Sequence, residues 1–156
     1  VTLNDEMNSV RAYIDLMRVR FGDMISFNVD IKDDELMQLN MPPLILQPIV
    51  ENSCIHGIGE KEEGGRIDIL VYRDEKDGLI EIVDNGVGMD KQVIDGIYSK
   101  ASGGEAMPEK PKKGHTTGIG ITNVIQRLRL YFKKDDIIDI SSVKGEGTRI
   151  VIRIPA

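Results

Sequence analysis

A chain of 156 residues with 40% hydrophobic and 29% charged residues is long enough to bury one core and too short to expect two, which excludes a fibre or a disordered tail. Only 4% of the residues are aromatic and none is Trp, so aliphatic side chains must fill the interior. A formal net charge of -6 opposes long-range attraction to nucleic acid or anionic lipid, so no nucleic-acid partner is expected and any phosphate must be held by local features.

From Thr2 onward, Leu3, Met7, Val10, Ile14, Met17 and Phe21 recur at alternating steps of four and three, the stripe of one helix face, with Thr2 and Asp5 as a capping pair and Gly22 as a stop. The same period suits a coiled-coil seam, so the stripe has two readings: a partner helix or the core of this domain. Residues 1–22 are accordingly set apart as an N-terminal helical element, and 23–156 as the main domain. Ile25, Phe27, Val29 and Ile31 alternate with polar residues and predict a strand; Asp33 to Glu35 then reads as solvated linker. Pro42 and Pro43 open an apolar segment that predicts a helix to His56 ended by Gly57, although Pro48 inside it should kink or delay the helix. The single cysteine, Cys54, lies in this apolar run and predicts a buried, inert thiol in a reducing compartment.

Arg66 to Arg73 and Leu79 to Val83 predict two antiparallel strands joined by a turn from Asp74 to Gly78. Lys91 to Tyr98 predicts a short helix, and the Gly-, Pro- and Lys-rich stretch at about 100–117 a long loop suited to act as a lid. Ile119 to Phe132 returns to helical spacing, and strands at Ile137 to Val143 and Arg149 to Ile154 flank a turn from Lys144 to Gly147. The sum is an α+β fold, a two-layer sandwich whose mostly antiparallel sheet of about five strands packs against about three helices. No run approaches the ~20 apolar residues that span a bilayer. The first residue, Val1, is not Met, which predicts a piece cut from a longer protein.

Three separated elements carry chemistry. Asp84-Asn85-Gly86-Val87-Gly88 places a carboxylate at a strand end before two glycines, which permit close approach of a ligand to the backbone or simply make a tight turn. Gly118-Ile119-Gly120 opens a helix, where unpaired N–H groups and the dipole favour a phosphate. Asn52 beside Glu51 late in a helix offers an amide oxygen to Mg²⁺, a cation that shares its shell among protein oxygens, waters and phosphates; a plain surface pair is the other reading. Other nucleotide signatures fail: there is no Walker loop, Asn123 stands where a dinucleotide fingerprint needs its third glycine, and Met89 occupies the glycine position of a calcium loop.

In order and spacing these elements resemble the GHKL ATPase superfamily, and within it the ATP-binding domain of LytS/YesM-like sensor histidine kinases. Pro42-Pro43-Leu44-Ile45-Leu46-Gln47-Pro48-Ile49-Val50-Glu51-Asn52 resembles the N box, Asp84 to Met89 the first glycine box, Gly118 to Val124 with Arg127-Leu128 the second, and Gly145-Glu146-Gly147-Thr148 the approach to the last strand. The resemblance implies that Asn52 ligates Mg²⁺, that Asp84 accepts a hydrogen bond from the adenine amino group with Thr148 supporting it through water, and that Gly86, Gly88, Gly118 and Gly120 shape the pocket and the lid hinge. Glu51 is a candidate base or metal-shell partner, or a purely structural residue. One departure stands out. The family's lysine three residues after the asparagine is replaced by Ile55, so His56 or a lid lysine, Lys110, Lys112 or Lys113, is the candidate source of the missing charge.

The implied activity is transfer of the ATP γ-phosphate to a histidine on separate dimerisation helices, then to a response regulator, within a homodimeric, membrane-anchored bacterial receptor whose cytoplasmic part this chain would be. Neither His56 nor His115 sits in an acceptor motif. A clamp-type ATPase would need a carboxylate one turn before Asn52, where Pro48 stands. A degenerate ATP-binding sensor or scaffold is the further alternative.

Overall fold

The computed structural model describes residues 1–58, 64–102 and 117–155. Five strands, β1 (Ile25–Ile31), β2 (Gly65–Asp74), β3 (Asp77–Asp84), β4 (Ile138–Val143) and β5 (Gly147–Ile154), form one sheet in the order β1-β2-β3-β5-β4. Only β1 and β2 run parallel; the other three pairs are antiparallel. Helices α1 (Leu3–Phe21), α2 (Leu46–Asn52), α3 (Lys91–Ala101) and α4 (Thr117–Phe132) cover one face, which is the expected two-layer α+β arrangement. The parallel pair requires a crossover, and α2 lies within it.

Strand alternation decides the layers. Ile67, Ile69 and Val71 on β2, Ile80 and Ile82 on β3, and Ile150, Ile152 and Ile154 on β5 turn one way into the core, each fully buried side chain contributing about 2 kcal/mol. The alternate residues face water and pair across strands: Arg149 with Glu81, and Arg153 with Asp74 at 2.7 Å and Asp77 at 3.0 Å. The loop between β2 and β3 is tighter than the predicted turn from Asp74 to Gly78, because the ladder continues to the pair Asp74 and Asp77.

The stripe of α1 is buried within this chain: Leu3, Met7, Val10, Ile14 and Met17 all join the core. A reciprocal capping box begins the helix, the Thr2 hydroxyl accepting the Asp5 N–H at 3.2 Å and the Asp5 carboxylate accepting the Thr2 N–H at 2.9 Å. Gly22, at φ 57°, ends it. Asp33 to Glu35, read as solvated linker, open a 3-10 turn, Asp34–Gln38: Asp34 and Glu35 are exposed as expected, while Leu36 and Met37 after them enter the core and Asp33 caps the turn and pairs with Arg73 at 2.7 Å.

The Thr2 N–H and hydroxyl hold the Asp5 carboxyl below its ordinary 3.8, and the Arg73 guanidinium does the same for Asp33. A carboxyl depressed on folding stabilises the fold fully above its unfolded pKa and loses that contribution as pH falls through the lower folded value. Stability is therefore expected to decline below about pH 4, and urea midpoints measured from neutral to acidic pH check it. Asp5→Asn should remove part of the decline.

Pro48 goes with a delayed helix start, one of the two outcomes expected of it. The helix starts at Leu46, four residues after Pro42, so Pro48 is its third residue and the N–H it lacks would have had no intrahelical partner. Gly57 does not end the segment: after Asn52 the chain widens into a π-helical turn, Ser53–Ile58. Further on, α3 extends to Ala101, beyond the predicted end at Tyr98 and into the first residues assigned to the lid. The rest of the predicted lid, with Lys110, Lys112, Lys113 and His115, lies outside the described residues apart from Ser102 and Thr117.

Candidate functional site

At the end of β3, Asp84 pairs in register with Thr148 of β5, so both side chains project to the helix-covered side. Both are buried, Asp84 to 6% exposure. The Asp84 carboxylate turns the chain by accepting the Gly86 N–H at 2.9 Å through Oδ1. Asn85 fastens the loop to the start of β2, its Oδ1 accepting the Arg66 N–H at 2.7 Å and its Nδ2 donating to the Gly64 carbonyl at 2.8 Å. The two glycines that follow differ in kind. Gly86 is buried, whereas Gly88 sits at φ 72° with its α-carbon against the β4–β5 turn, where a Cβ would lie 2.2 Å from the Val143 carbonyl oxygen.

Ser142 ties this corner together. Its hydroxyl accepts the Met89 N–H at 2.7 Å, donates to the Gly147 carbonyl at 2.7 Å and lies 2.9 Å from the Thr148 hydroxyl. The Gly145 N–H donates to the Val87 carbonyl at 2.6 Å. The loop after β3 is thus stapled to the β4–β5 hairpin, and Asp84 and Thr148 are presented from a fixed frame. An open recess of about 260 Å³ lies here, lined by Asp84, Ser142, Gly147 and Thr148 with Val83 and Arg149. It opens partly onto the outer face and is smaller than the ~300–1,000 Å³ of a whole small-molecule pocket.

The second element reaches the same corner from the helix layer. Asn52, half-buried, is the last residue of α2, and the π-helical turn that follows packs against β2, β3 and β5. Within that turn burial pushes the Cys54 thiol up to about 11; the hydrogen bond with Tyr13 of α1 lowers it, and the nearby charges of Asp84 and Glu51 raise it further. Those charges mark how close the turn lies to the end of β3, and the raised pKa agrees with the inert thiol expected. Burial likewise lifts the Tyr13 phenol above its ordinary range. Glu51 accepts the Gln47 side-chain N–H at 2.9 Å. His56 falls in the same turn, and Ile55, at the family's lysine position, is 51% exposed.

Gly118 and Gly120 lie inside the first turn of α4, not ahead of it. α4 packs against both α2 and α3. Among the described residues, nothing stands within 4 Å of a Cβ built on Gly120. Gly120→Ala is therefore expected to raise thermal stability, by up to about 1 kcal/mol; a fall in melting temperature would reveal a contact that the open space excludes.

Sequence reasoning missed Ser142 and Asn85, the two side chains that hold the frame. Asn85 stood inside the quoted motif without a role, and Ser142 was one of two serines in a predicted strand. Only the pairing of β4 with β5 distinguishes it from Ser141.

Residues 42–156 match the family described as "Histidine kinase-, DNA gyrase B-, and HSP90-like ATPase". The chain belongs to that family. It is 32% identical over 155 residues to the sensor histidine kinase BtsS of Escherichia coli (strain K12), and 29% identical over 155 residues to the sensor protein LytS of Bacillus subtilis (strain 168), in each case over 99% of this chain and 24% of the relative. It thus spans about a quarter of the length of these relatives. The fold is similar to the catalytic domain of histidine kinase ThkA, at TM-score 0.63 and 14% identity over 99% of this chain and 93% of that one. It is also similar to the histidine kinase domain from Erythrobacter litoralis EL346, at TM-score 0.59 and 14% identity over 99% and 61%. As an ATPase-family member the chain is an ATP-binding domain, and no helix among the described residues is long and apolar enough to cross a membrane.

Proposed function

We propose that the chain is the catalytic ATP-binding domain of a sensor histidine kinase and transfers the γ-phosphoryl group of ATP to a histidine carried on a separate dimerisation helix. The observation that carries this reading is the convergence of a buried strand-end carboxylate, Asp84, with the turn after Asn52, both in a frame where glycine backbone is closely packed. Asp84 would accept the adenine amino hydrogen and Thr148 would support that contact through water, while Gly86 and Gly88 leave the loop without side chains beside the base. The first turn of α4, with Gly118 and Gly120, would offer N–H groups to the phosphates.

The donor set suits Mg²⁺. Mg²⁺ shares its shell among a few protein oxygens, phosphates and waters, and the Asn52 amide oxygen at the end of α2 would be its protein ligand beside them. Bound there, Mg²⁺ would neutralise phosphate charge. Glu51, engaged with Gln47, would act beside Asn52 as a shell partner, and His56 or Lys113 would supply the positive charge absent at Ile55. In the transfer itself an imidazole nitrogen forms a bond to the γ-phosphorus as the bond to the bridging oxygen breaks; ADP leaves and the imidazole proton passes to solvent. The domain's contribution is positioning and electrostatics.

The remaining parts of this reading are a homodimeric parent, anchored in a membrane with this domain in the cytoplasm, and a response regulator that takes the phosphoryl group. Relatives named as sensor proteins and sensor histidine kinases, similar over nearly the whole chain, support it. Single-turnover incubation with γ-labelled ATP and a histidine-bearing helix from such a relative tests it. Label on the helix is the expected result. Steady phosphate release without transfer would make the domain a hydrolase, and binding without either would make it a sensor module.

A further inference from the structure

Two carboxylates are buried among the described residues: Asp84 at the end of β3, and Glu6 on α1, 6% exposed. Removing a carboxylate from water costs several kcal/mol unless its oxygens are satisfied. Glu6 meets this with backbone from 38 to 40 residues away: Oε1 accepts the N–H groups of Ile45 at 2.7 Å and Leu46 at 3.1 Å, and Oε2 accepts that of Leu44 at 3.2 Å. These amides open α2 and have no partner within it, and the helix dipole favours a negative charge at this end.

The junction is also tied from the opposite side, where the Arg127 guanidinium of α4 donates to the Leu44 carbonyl at 3.0 Å. Between the two ties Leu44 is held at φ 59°, a conformation that side-chain-bearing residues rarely adopt. One short junction therefore joins α1 to α2 and α4, the helices that carry Asn52 and Gly118–Gly120. Asn52 ends the helix that Leu46 starts, about 9 Å along its axis.

We propose that Glu6 is a positioning residue for the nucleotide–Mg²⁺ site: its carboxylate seats the start of α2, sets the reach of the Asn52 amide, and makes α1 a lever on the site. The inference rests on the nucleotide reading above and deepens it. A purely structural cap would weaken every property of the domain together when lost. A positioning role acts selectively on the part of binding that depends on Asn52.

The test is calorimetric titration of a non-hydrolysable ATP analogue with Mg²⁺ and with a chelator, on the native chain and on Glu6→Gln, joined to hydrogen exchange at the Leu44–Leu46 amides. In Glu6→Gln the Mg²⁺-dependent gain in affinity is expected to shrink about tenfold, as for loss of a group that orients a metal ligand, with chelator affinity within about twofold of native and faster exchange at the junction. Glu6→Asp, which keeps the charge on a shorter stem, should restore part of the gain, and it carries the comparison if the Gln variant does not fold. Native Mg²⁺ enhancement in a folded Glu6 variant, or equal losses with Mg²⁺ and chelator, overturns the proposal while leaving the nucleotide site intact. A native chain that itself shows no Mg²⁺ enhancement overturns the role given to Asn52, and this proposal with it.

Discussion

Gly147→Ala is expected to destabilise the fold by about 3 kcal/mol or more, lowering the melting temperature by about 10 °C. Gly147 opens β5 at φ 133°, where an L side chain is strained, and a Cβ there would stand 2.0 Å from the Asp84 carbonyl oxygen and 2.9 Å from the Asn85 α-carbon. Both are backbone atoms, so no side chain can swing aside. The strands would have to part where Asp84 leaves β3, and nucleotide affinity should fall along with stability. Thermal denaturation checks the first effect and calorimetry the second. A melting temperature within about 2 °C of native, against the shift that such a clash demands, would show that β3 and β5 approach less closely than described. Gly120→Ala, in α4 with no described atom within 4 Å of its Cβ, is the matched control for the stability measurement alone.

Asp84→Asn separates binding from folding. The amide keeps an oxygen for the Gly86 N–H now held at 2.9 Å, so the turn should survive and the melting temperature change little. What is lost is the carboxylate as an acceptor, and an amide N–H turned toward the adenine amino group would set donor against donor. Loss of a buried hydrogen bond to a charged group corresponds to a fall in ATP affinity of about 100-fold. Calorimetric titration of ADP and an ATP analogue measures it directly. Unchanged affinity in a folded Asp84→Asn protein would mean that the base is held elsewhere and that Asp84 serves only the turn.

The two substitutions read different parts of the same corner. Gly147 acts through backbone separation, which no sequence pattern displays, although the glycine itself was visible in the turn. Asp84 acts through its carboxylate at a strand end, and the chain order already displayed that: β-alternation stops at Val83 and two glycines follow. The five strands, the buried face of β1 and the long helices were likewise legible, because alternation and the 3.6-residue period are local consequences of which side chains avoid water. Of the kink or delay expected of Pro48, the structure shows the delay: α2 starts four residues after Pro42, where Glu6 supplies acceptors for its free amides.

Local spacing in the sequence was sufficient to specify the layer architecture and to single out the motifs around Asn52, Asp84 and Gly118, since each depends on residues close together in the chain; the departure at Ile55 shows only against the pattern of the family that those motifs resemble. The tertiary fold determined the rest: that Ser142 rather than Ser141 holds the loop after β3, that Asn85 ties it to β2, that the stripe of α1 is buried in this domain, and that Glu6 caps a helix 40 residues away. These are contacts between distant segments, and their partners are chosen by strand register and by where buried polar groups can be satisfied.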